Sequence, residues 1–367
     1  MRITATKDNL VLGVTAVQKA VSSKTALPIL SCIRIEAKDN FLYFTGTDLD
    51  IGIQCYVPVD IISEGIAIVT ARHFSEIVRR LPDVPIEIHH NNENEITIKY
   101  EDSQLVIKTL QDNDYPNFPE VIGENKIQVK AAVLRNMIKQ TTFAAGNDEG
   151  RPLFTGILFE YEEKIIRLIA TDTHRLALRQ GTVENNITET GSCIIPAKIL
   201  NELARLMHDD DDICLINITK NLISFKIANI LIISRLLEGQ FPNYRQVIPN
   251  KYNLKIKTRS KKFQESVERI SLFTALNDNS NTLQIQINEN MLVISSQSEL
   301  GQGYEQLSID AVGEPVNIAF NARYLLDAFK VIDADIISIE FTGPLSPCII
   351  RPAESENFIC LLLPVRT

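Results

Sequence analysis

The sequence predicts an α+β fold made of three tandem copies of one domain, in which helices pack on antiparallel sheets. Three observations favour this architecture. One apolar helical stripe occurs three times, hairpin patterns recur at the same spacing, and the strand-like segments alternate apolar with polar residues. The repeat is about 125 residues long, which puts the domain limits near 1–124, 125–250 and 251–367.

The clearest repeated element is a helix predicted over residues 71–82, with apolar residues at i, i+3, i+4 and i+7. Shifts of 126 and then a further 125 residues lead to the same stripe in the next two repeats. Each repeat also opens with another amphipathic helix, predicted over 8–21, 131–143 and 262–273. The three stripes are Phe74, Ile77, Val78 and Leu81; Leu200, Leu203, Ala204 and Met207; and Leu325, Ala328, Phe329 and Ile332.

The strands are predicted from hairpins and from two short motifs that keep the period. Hairpin patterns cover residues 33–46, 157–170 and 283–295, each with a polar turn in its middle. Their alternation is typical of antiparallel sheets with one face in water. A Thr-Asp pair follows the first two hairpins, and a Pro-Asn-aromatic motif closes the first two repeats. These landmarks are Thr47-Asp48, Thr171-Asp172, Pro116-Asn117-Phe118 and Pro242-Asn243-Tyr244.

The polar side of the second helix carries a repeated pair of basic residues. The two members are seven positions apart, hence on one face about two turns apart. A solvated helix face explains any single one of them, but their shared register favours a common function. Basic helices in a line can follow a phosphate backbone without reading base sequence. The pairs are Arg72 with Arg79, Lys198 with Arg205, and Arg323 with Lys330.

Composition excludes several classes of protein. The 367 residues carry a net charge of −9, so any contact with DNA must depend on where Lys and Arg lie. No segment approaches ~18 consecutive apolar residues, and the N-terminus lacks an apolar signal core, so we expect a cytoplasmic protein without a membrane span. Six scattered cysteines without a CxxC pair predict buried free thiols rather than a zinc site.

Two polar patterns have alternative explanations. Asp172 and His174 could belong to a hydrolase, but no G-x-S-x-G motif or activated cysteine accompanies them. Alternatively, Asp172 caps a turn and His174 lines a pocket. The run from His208 to Asp212 lacks the spaced ligands and turn glycine of a calcium loop and predicts a solvated loop. A repeat scaffold that binds proteins but never DNA is a further alternative function.

Five motifs occur in a fixed order on this repeat. They are Leu27-Pro28-Ile29-Leu30, ATDTHRLA at 170–177, LEGQFPNYR at 237–245, Phe320-Asn321 with Tyr324, and LPVR at 363–366. Together they resemble the bacterial sliding clamp family, the beta subunit of DNA polymerase III, over essentially the full chain.

The resemblance implies a DNA clamp fold and a head-to-tail homodimer, two chains of three domains that close a ring around duplex DNA. Such a ring is not an enzyme and needs no cofactor. It tethers the catalytic subunit of DNA polymerase III, which raises the effective concentration of polymerase at the primer end. A clamp-loader ATPase opens it, and other polymerases and repair proteins bind it through linear peptide motifs.

The resemblance also implies two sets of site residues. The DNA-contacting set is Lys24, Arg72, Arg79, Arg151, Lys198 and Arg205, to which the repeat adds Arg323 and Lys330. The peptide-binding set is Phe154, Thr171, His174, Arg175, Leu176, Pro242, Arg245, Val247, Asn321, Tyr324, Leu345, Pro347, Leu361, Leu363, Pro364, Val365 and Arg366. No catalytic or metal-binding residue is expected.

Three positions and one loop depart from the family pattern. Thr173 stands where glycine is usual, Gln246 follows Arg245 where a second basic residue is common, and the chain ends in Thr367 rather than a larger apolar residue. The loop at 146–150, just before Arg151, is more acidic than the pattern. The first three changes bear on which partner peptides bind best.

Overall fold

The computed structural model describes residues 1–22, 27–91, 94–111, 114–121, 126–148, 150–274, 281–299 and 301–366. Contacts between Cα atoms group the chain into two compact units. The first contains Met1–Ala132, Glu184–Thr188 and Glu202–Leu236, and the second contains Val133–Val183, Glu189–Asn201 and Leu237–Thr367. Lys24 and Thr367, both named from the sequence, lie outside the described residues.

The helices predicted from the apolar stripes are present. The second helix of the first repeat ends at Arg80 rather than at residue 82, because Pro82 disfavours helical backbone at the residue before it. The first helix ends at Val17, and a 3₁₀ turn at Gln18–Ala20 follows it. The helices are α1 (Lys7–Val17), α2 (Ala71–Arg80), α3 (Ala131–Thr142), α4 (Ala197–Leu206), α5 (Ser260–Ser271) and α6 (Ala322–Val331).

The stripes are buried as the periodicity predicts. Apart from Ile77 and Ala204, which are half-buried, every stripe residue lies in the core. Phe74 and Phe329 are among the largest fully buried side chains. Burial of one such apolar face contributes most of the stability of helices this short, which are marginal on their own.

Strands make up most of the rest of the chain. The first thirteen are β1 (Arg2–Ala5), β2 (Cys32–Lys38), β3 (Phe41–Thr47), β4 (Ile51–Pro58), β5 (Asp60–Ser63), β6 (Gly65–Thr70), β7 (Ile86–Asn91), β8 (Glu95–Tyr100), β9 (Ser103–Lys108), β10 (Lys126–Lys130), β11 (Gly156–Glu162), β12 (Ile165–Thr171) and β13 (Arg175–Thr182). The others are β14 (Gly191–Pro196), β15 (Ile213–Ile218), β16 (Leu222–Ile227), β17 (Ile230–Arg235), β18 (Leu254–Arg259), β19 (Thr282–Asn288), β20 (Met291–Ser298), β21 (Gly301–Ser308), β22 (Asp310–Gly313), β23 (Val316–Asn321), β24 (Ile336–Phe341), β25 (Cys348–Pro352) and β26 (Phe358–Leu362).

The three predicted hairpins are confirmed as β2–β3, β11–β12 and β19–β20, all antiparallel. The prediction that each repeat opens with a helix was wrong, since β1, β10 and β18 come first. These strands have only four to six residues, too few for a period of two to be distinguished from the start of the helix that follows.

In the first unit, one sheet has the strand order β5-β1-β7-β8-β9 and the other the order β10-β15-β16-β17-β4-β3-β2-β6. The second sheet joins the first two sequence repeats, because β17 pairs with β4 and sets Ile232 opposite Ile53. The central repeat therefore contributes its strands β10 and β15–β17 to the first unit.

In the second unit, the sheets have the orders β14-β11-β12-β13-β26-β25-β24-β18-β22 and β21-β20-β19-β23. Here β13 pairs with β26, which sets Leu176 opposite Leu361 and joins the second and third repeats in one sheet. This pairing brings the motif at 170–177 next to the end of the chain, and it positions the site described below.

The prediction of free thiols is confirmed: all six cysteines are unpaired, and all but Cys193 are buried. Burial raises the pKa of Cys55, Cys193, Cys214 and Cys360 to about 12, so these thiols are protonated at neutral pH. Within the described residues, no helix has the length and apolar character needed to span a membrane.

Candidate functional site

A cavity of about 190 Å³ in the second unit collects much of the predicted peptide-binding set. We call it the groove. Its lining is mostly apolar, and it includes Asn243 and Tyr244, which the sequence analysis did not assign to the site. The lining residues are Phe154, Thr171, Thr173, His174, Arg175, Leu176, Pro242, Asn243, Tyr244, Val247, Leu361 and Leu363.

One wall of the groove is a tight turn between β12 and β13. The Thr171 hydroxyl donates to the carbonyl of Arg175 at 2.7 Å. One carboxylate oxygen of Asp172 accepts from the backbone N–H groups of His174 and Arg175, both at 3.0 Å. Asp172 therefore caps the turn, as the alternative explanation for this residue predicted. The turn leaves Thr173 with a positive φ of 80°.

The Arg175 guanidinium fixes this turn to α6. Its Nε donates to the other Asp172 oxygen at 3.0 Å, and its Nη1 donates to Asp327 at 2.7 Å. The guanidinium carbon lies 4.6 Å from the Tyr324 ring centroid and 5.4 Å from that of Phe143. Only 10% of the Arg175 side chain is exposed, so its charge is compensated inside the protein rather than offered to a ligand.

His174 lies on the outer side of the turn. Its ring stacks on Tyr324 with a centroid distance of 6.1 Å and an interplanar angle of 22°. The side-chain hydrogen bonds of Asp172 go to the turn and to Arg175. His174 thus lines the groove as an exposed aromatic surface, which agrees with the second half of the alternative explanation.

The floor of the groove is an apolar cluster that includes Leu176, Tyr244 and Leu361. The Tyr244 hydroxyl donates to Glu160 at 2.8 Å. Burial, together with this carboxylate, raises the pKa of Tyr244 to about 12, so the phenol keeps its proton and holds the ring in place. Arg245 pairs with the same carboxylate at 2.8 Å and does not line the cavity.

The end of the chain forms the opposite edge of the groove. After β26, the Leu363 N–H donates to the carbonyl of His174 at 2.9 Å, and the Val365 N–H donates to that of Ala319 at 2.8 Å. The side chain of Leu363 remains 38% exposed. The apolar tail is thus held along the groove and presents an apolar residue to solvent beside it.

A second, polar cavity of about 480 Å³ adjoins the groove and shares Phe154, His174 and Arg175 with it. It brings in Asn321 and Tyr324 from the predicted peptide-binding set. The Asn321 side chain also caps α6, because its oxygen accepts from the N–H groups of Arg323 and Tyr324. The predicted residues that line neither cavity are Arg245, Leu345, Pro347, Pro364, Val365 and Arg366.

Two residues predicted to contact DNA, Arg151 and Arg323, lie in the wall of this polar cavity. Arg151 pairs with Asp148 at 2.9 Å, and its guanidinium lies 5.6 Å from the Phe154 ring centroid. The Arg151 hydrogen bond is the main cause that holds the pKa of the Asp148 carboxyl below its usual value. The acidic loop therefore neutralises Arg151 in part.

The repeated basic residues all lie on exposed helix faces, as predicted. Arg72 pairs with Glu76 at 3.2 Å and Arg205 with Glu202 at 2.6 Å, while Lys330 lies 3.8 Å from Asp327. The Arg72–Glu76 pair is exposed at both ends, and a surface pair of this kind contributes only ~0–1 kcal/mol, so Arg72 can exchange its partner for a phosphate. Glu202, the partner of Arg205, is only 12% exposed. The exposed basic residues are Arg72, Arg79, Lys198, Arg205, Arg323 and Lys330, with Arg80 as an addition that the repeat did not single out.

The run of four aspartates has a structural function. The carbonyls of Asp210 and Asp212 accept from the N–H groups of Ala132 and Ala131, at the start of α3. Across the part of the chain that the structure describes, no group of three or more His, Cys, Asp or Glu side chains is arranged to hold a metal ion.

Three family models match this chain in order. They describe the N-terminal, central and C-terminal domains of the DNA polymerase III beta subunit and match residues 1–119, 128–243 and 245–366. Among curated relatives, the beta sliding clamp of Bacillus subtilis is 35% identical over 378 residues, and that of Staphylococcus epidermidis is 33% identical over 377 residues. Both alignments cover 100% of each chain.

Solved structures give the same result. The DNA polymerase sliding clamp from Bacillus subtilis superposes with a TM-score of 0.97 at 36% identity, covering 100% of this chain and 99% of that one. A sliding clamp from Pseudomonas aeruginosa, bound to griselimycin, superposes with a TM-score of 0.95 at 26% identity and covers 100% of both chains.

Proposed function

The chain belongs to the DNA polymerase III beta subunit family, the bacterial sliding clamps, and we infer that it acts as a processivity factor for DNA polymerase. The observation that carries this conclusion is the match of all three domain models, in order, along the whole chain. The chain encircles duplex DNA without reading its sequence and tethers the replicative polymerase to its template.

The distribution of charge supports this mode of DNA contact. The chain has a net charge of −9, yet Lys or Arg occupies both repeated positions on α2, α4 and α6 and is exposed there. An acidic protein with basic helices can hold a polyanion where those helices meet it and repel it elsewhere. Contacts to phosphates alone let the protein slide, because every base pair presents the same backbone.

We propose that two chains assemble head to tail into a closed ring. The edge strand β9 of the first unit has unpaired backbone groups on one side, and its Val106 is 51% exposed. In the second unit, β21 is one of the edge strands, with Tyr304 70% exposed, and Leu272, just after α5, is 72% exposed. Open edges with apolar side chains favour pairing with another chain. Joining β9 of one chain to β21 of the next covers both edges.

The groove supports the proposal that partner proteins bind as short linear peptides. An apolar cavity with a polar rim suits an extended segment that inserts one apolar side chain. We propose that the catalytic subunit of the polymerase, the clamp-loader ATPase, other polymerases and repair proteins share this groove. The proposed contact residues are those of the predicted set that line the groove or the adjoining polar cavity.

We also propose that the chain has no catalytic activity and works in the cytoplasm. The hydrolase alternative requires Asp172 to orient His174 as a base, but the Asp172 side chain is engaged by its own turn and by Arg175. A purified chain that hydrolyses esters or phosphates, with loss of that activity on His174→Ala, would support the hydrolase instead.

The domain limits 1–124, 125–250 and 251–367 remain our proposal for the three repeats, supported by the segments that the family models match.

Topological retention is the direct test of the ring. Clamps loaded on nicked circular DNA should stay bound through gel filtration and should be lost after the circle is cut once by a restriction enzyme. The mass of the free protein in solution should be that of two chains. Equal retention on circular and linear DNA, or a monomer that still supports processive synthesis, contradicts the ring.

A charge variant tests the basic helices. We expect neutralisation of two exposed residues on α2 and two on α4 to shorten the stretch of DNA that the polymerase copies in one binding event. The slope of log binding constant against log salt concentration should become shallower by ~0.9 for each phosphate that the protein no longer neutralises. A control of the same net charge replaces exposed lysines on strands and should leave processivity unchanged. If the helix variant also leaves it unchanged, the scaffold alternative is favoured. The first variant changes Arg72, Arg79, Lys198 and Arg205, and the control changes Lys99, Lys126, Lys226 and Lys257.

A further inference from the structure

The wall of the polar cavity beside the groove carries more positive than negative charge. Of its described lining residues, three are arginines and two are aspartates. Asp148 pairs with Arg151 at 2.9 Å, and Asp172 pairs with Arg175 at 3.0 Å. The third arginine is Arg323. It is exposed, and it makes no ion pair within the part of the chain that the structure describes.

Helix α6 lacks the pairing that compensates the equivalent arginine of α2. Arg72 pairs with Glu76, four positions later on the same helix, at 3.2 Å. The residue four positions after Arg323 is also acidic, but this residue, Asp327, accepts from Arg175 at 2.7 Å. Because Arg175 engages Asp327, the wall of the polar cavity contains a cation that its own helix does not neutralise.

The polar cavity adjoins the groove, so a peptide bound in the groove reaches the polar cavity as well. Phe154, His174 and Arg175 line both cavities. An extended peptide advances ~3.3 Å per residue, so a residue a few positions from the apolar side chain in the groove lies over the polar cavity. The volume of that cavity, about 480 Å³, accommodates a polar side chain next to Arg323.

An acidic side chain is the best match for this position. A guanidinium binds a carboxylate through two parallel N–H···O bonds, which adds geometric specificity to the attraction of the charges. The phosphates of DNA are the other source of an anion, and the register of the basic residues in the repeat favours them. The cavity favours the peptide, because Arg323 lines the same recess as residues of the groove, and a peptide side chain enters a recess more easily than the backbone of a duplex.

We propose that Arg323 is a specificity-determining residue that recognises an acidic side chain of the peptide bound in the groove. The inference rests on the peptide-binding function proposed above. It assigns the chemistry of the preferred partner segment: an extended peptide with an apolar anchor and, a few residues from that anchor, an Asp or a Glu. Among the six repeated basic positions, this one thus serves the partner protein.

The test measures fluorescence anisotropy with labelled copies of the clamp-binding segment of the polymerase catalytic subunit. In each pair of peptides, one residue that flanks the apolar anchor is either Asp or its neutral isostere Asn. At one flanking position, wild type should bind the Asp peptide about fivefold more tightly, a ratio that corresponds to ~1 kcal/mol, the upper end for an exposed ion pair. Arg323→Gln should bring this ratio close to one.

Two further variants separate charge from shape. Arg323→Lys keeps the charge without the planar guanidinium and should retain part of the preference for Asp. Arg323→Glu reverses the charge and should bind a peptide with Lys at the same position more tightly than the Asp peptide. Arg259→Gln is the matched control, because Arg259 is an exposed arginine just before α5 in the same unit and lines neither cavity. It should keep the ratio of wild type.

Two results would overturn the inference. The first is a wild type that shows no preference for Asp at any flanking position, or a preference that persists in Arg323→Gln. The second is a persisting preference together with DNA binding whose log–log salt slope becomes shallower by ~0.9 in Arg323→Gln, which would assign Arg323 to a phosphate instead. Failure of wild type to bind any of the peptides would overturn the proposed peptide-binding function, and this inference with it.

Discussion

Replacing Arg175 with methionine tests whether this residue holds the groove together. The substitution keeps the length of the side chain but removes its charge and its hydrogen bonds to Asp172 and Asp327. The three side chains are 10%, 15% and 23% exposed, so the ion pairs are shielded from water. Breaking a buried pair by removing one partner costs ~3–5 kcal/mol, because the remaining charge stays buried. Since Asp327 can still reach some water, we expect a loss of about 3 kcal/mol in the free energy of unfolding.

Urea unfolding of the full-length protein, followed by circular dichroism, measures that loss. Arg72→Met is the control, because the Arg72 side chain is 87% exposed and its ion-pair partner Glu76, at 3.2 Å, is 51% exposed. An exposed pair contributes ~0–1 kcal/mol, so this control should change little. Equal costs for the two substitutions would refute the reasoning. Asp327→Asn adds a check: combined with Arg175→Met, it should cost less than the sum of the two single changes, by ~0.5–3 kcal/mol.

Three further predictions concern the tail, a thiol and a buried carboxylate. Removing residues 363–367 should weaken binding of polymerase and clamp loader in surface plasmon resonance while the solution mass stays that of a dimer; loss of the dimer would show that the tail is structural. At pH 8 the Cys214 thiol should react with DTNB far more slowly in the folded than in the unfolded protein, because burial raises its pKa to about 12 and leaves little thiolate. Burial alone would raise the pKa of Glu340, but Lys255 and Arg351 outweigh burial and hold that pKa below its usual value. The stability that Glu340 contributes is therefore present above its unfolded pKa of ~4.3 and is lost as pH falls through the lower pKa of the folded protein. In Glu340→Gln, the free energy of unfolding should consequently fall less steeply as the pH is lowered below ~4.3.

The helices could be predicted because their physical cause is local. An apolar stripe at helical spacing, repeated three times, gave the position and type of α2, α4 and α6, and only their ends needed correction. The short opening strands could not be predicted in the same way. Residues Arg2–Ala5 form β1 because β5 and β7 pair with them on either side, and neither partner is close in sequence.

The candidate site likewise has parts that could be predicted from local sequence and parts that depend on residues far apart in the chain. The motif at 170–177 and the tail were identified from the sequence, and the pairing of β13 with β26 explains why they meet. The sequence assigned Arg175 to peptide contact, whereas its side chain is occupied by Asp172 and Asp327, the latter 152 residues away. Nothing local marks Asp327 as its partner. Tyr244 was noted as part of a repeated motif, but only the packing of its ring with Leu176 assigns it to the groove.

Beside the turn that the first two repeats share, corresponding positions carry different residues. Position 52 in the first repeat corresponds to Leu176 in the second, since each is paired with the Thr that begins the turn. Position 52 is glycine, and a Cβ placed there would lie 2.7 Å from the Phe118 ring. Phe118 is the counterpart of Tyr244 and has no hydroxyl to bind a carboxylate, so its ring packs directly on the backbone of Gly52.

In the second repeat the same two positions carry Leu176 and Tyr244, which both line the groove. Both residues belong to one apolar cluster, and the Tyr244 hydroxyl donates to Glu160 at 2.8 Å. The wall beside the turn thus contains a Leu–Tyr pair in the second repeat and a Gly–Phe pair in the first.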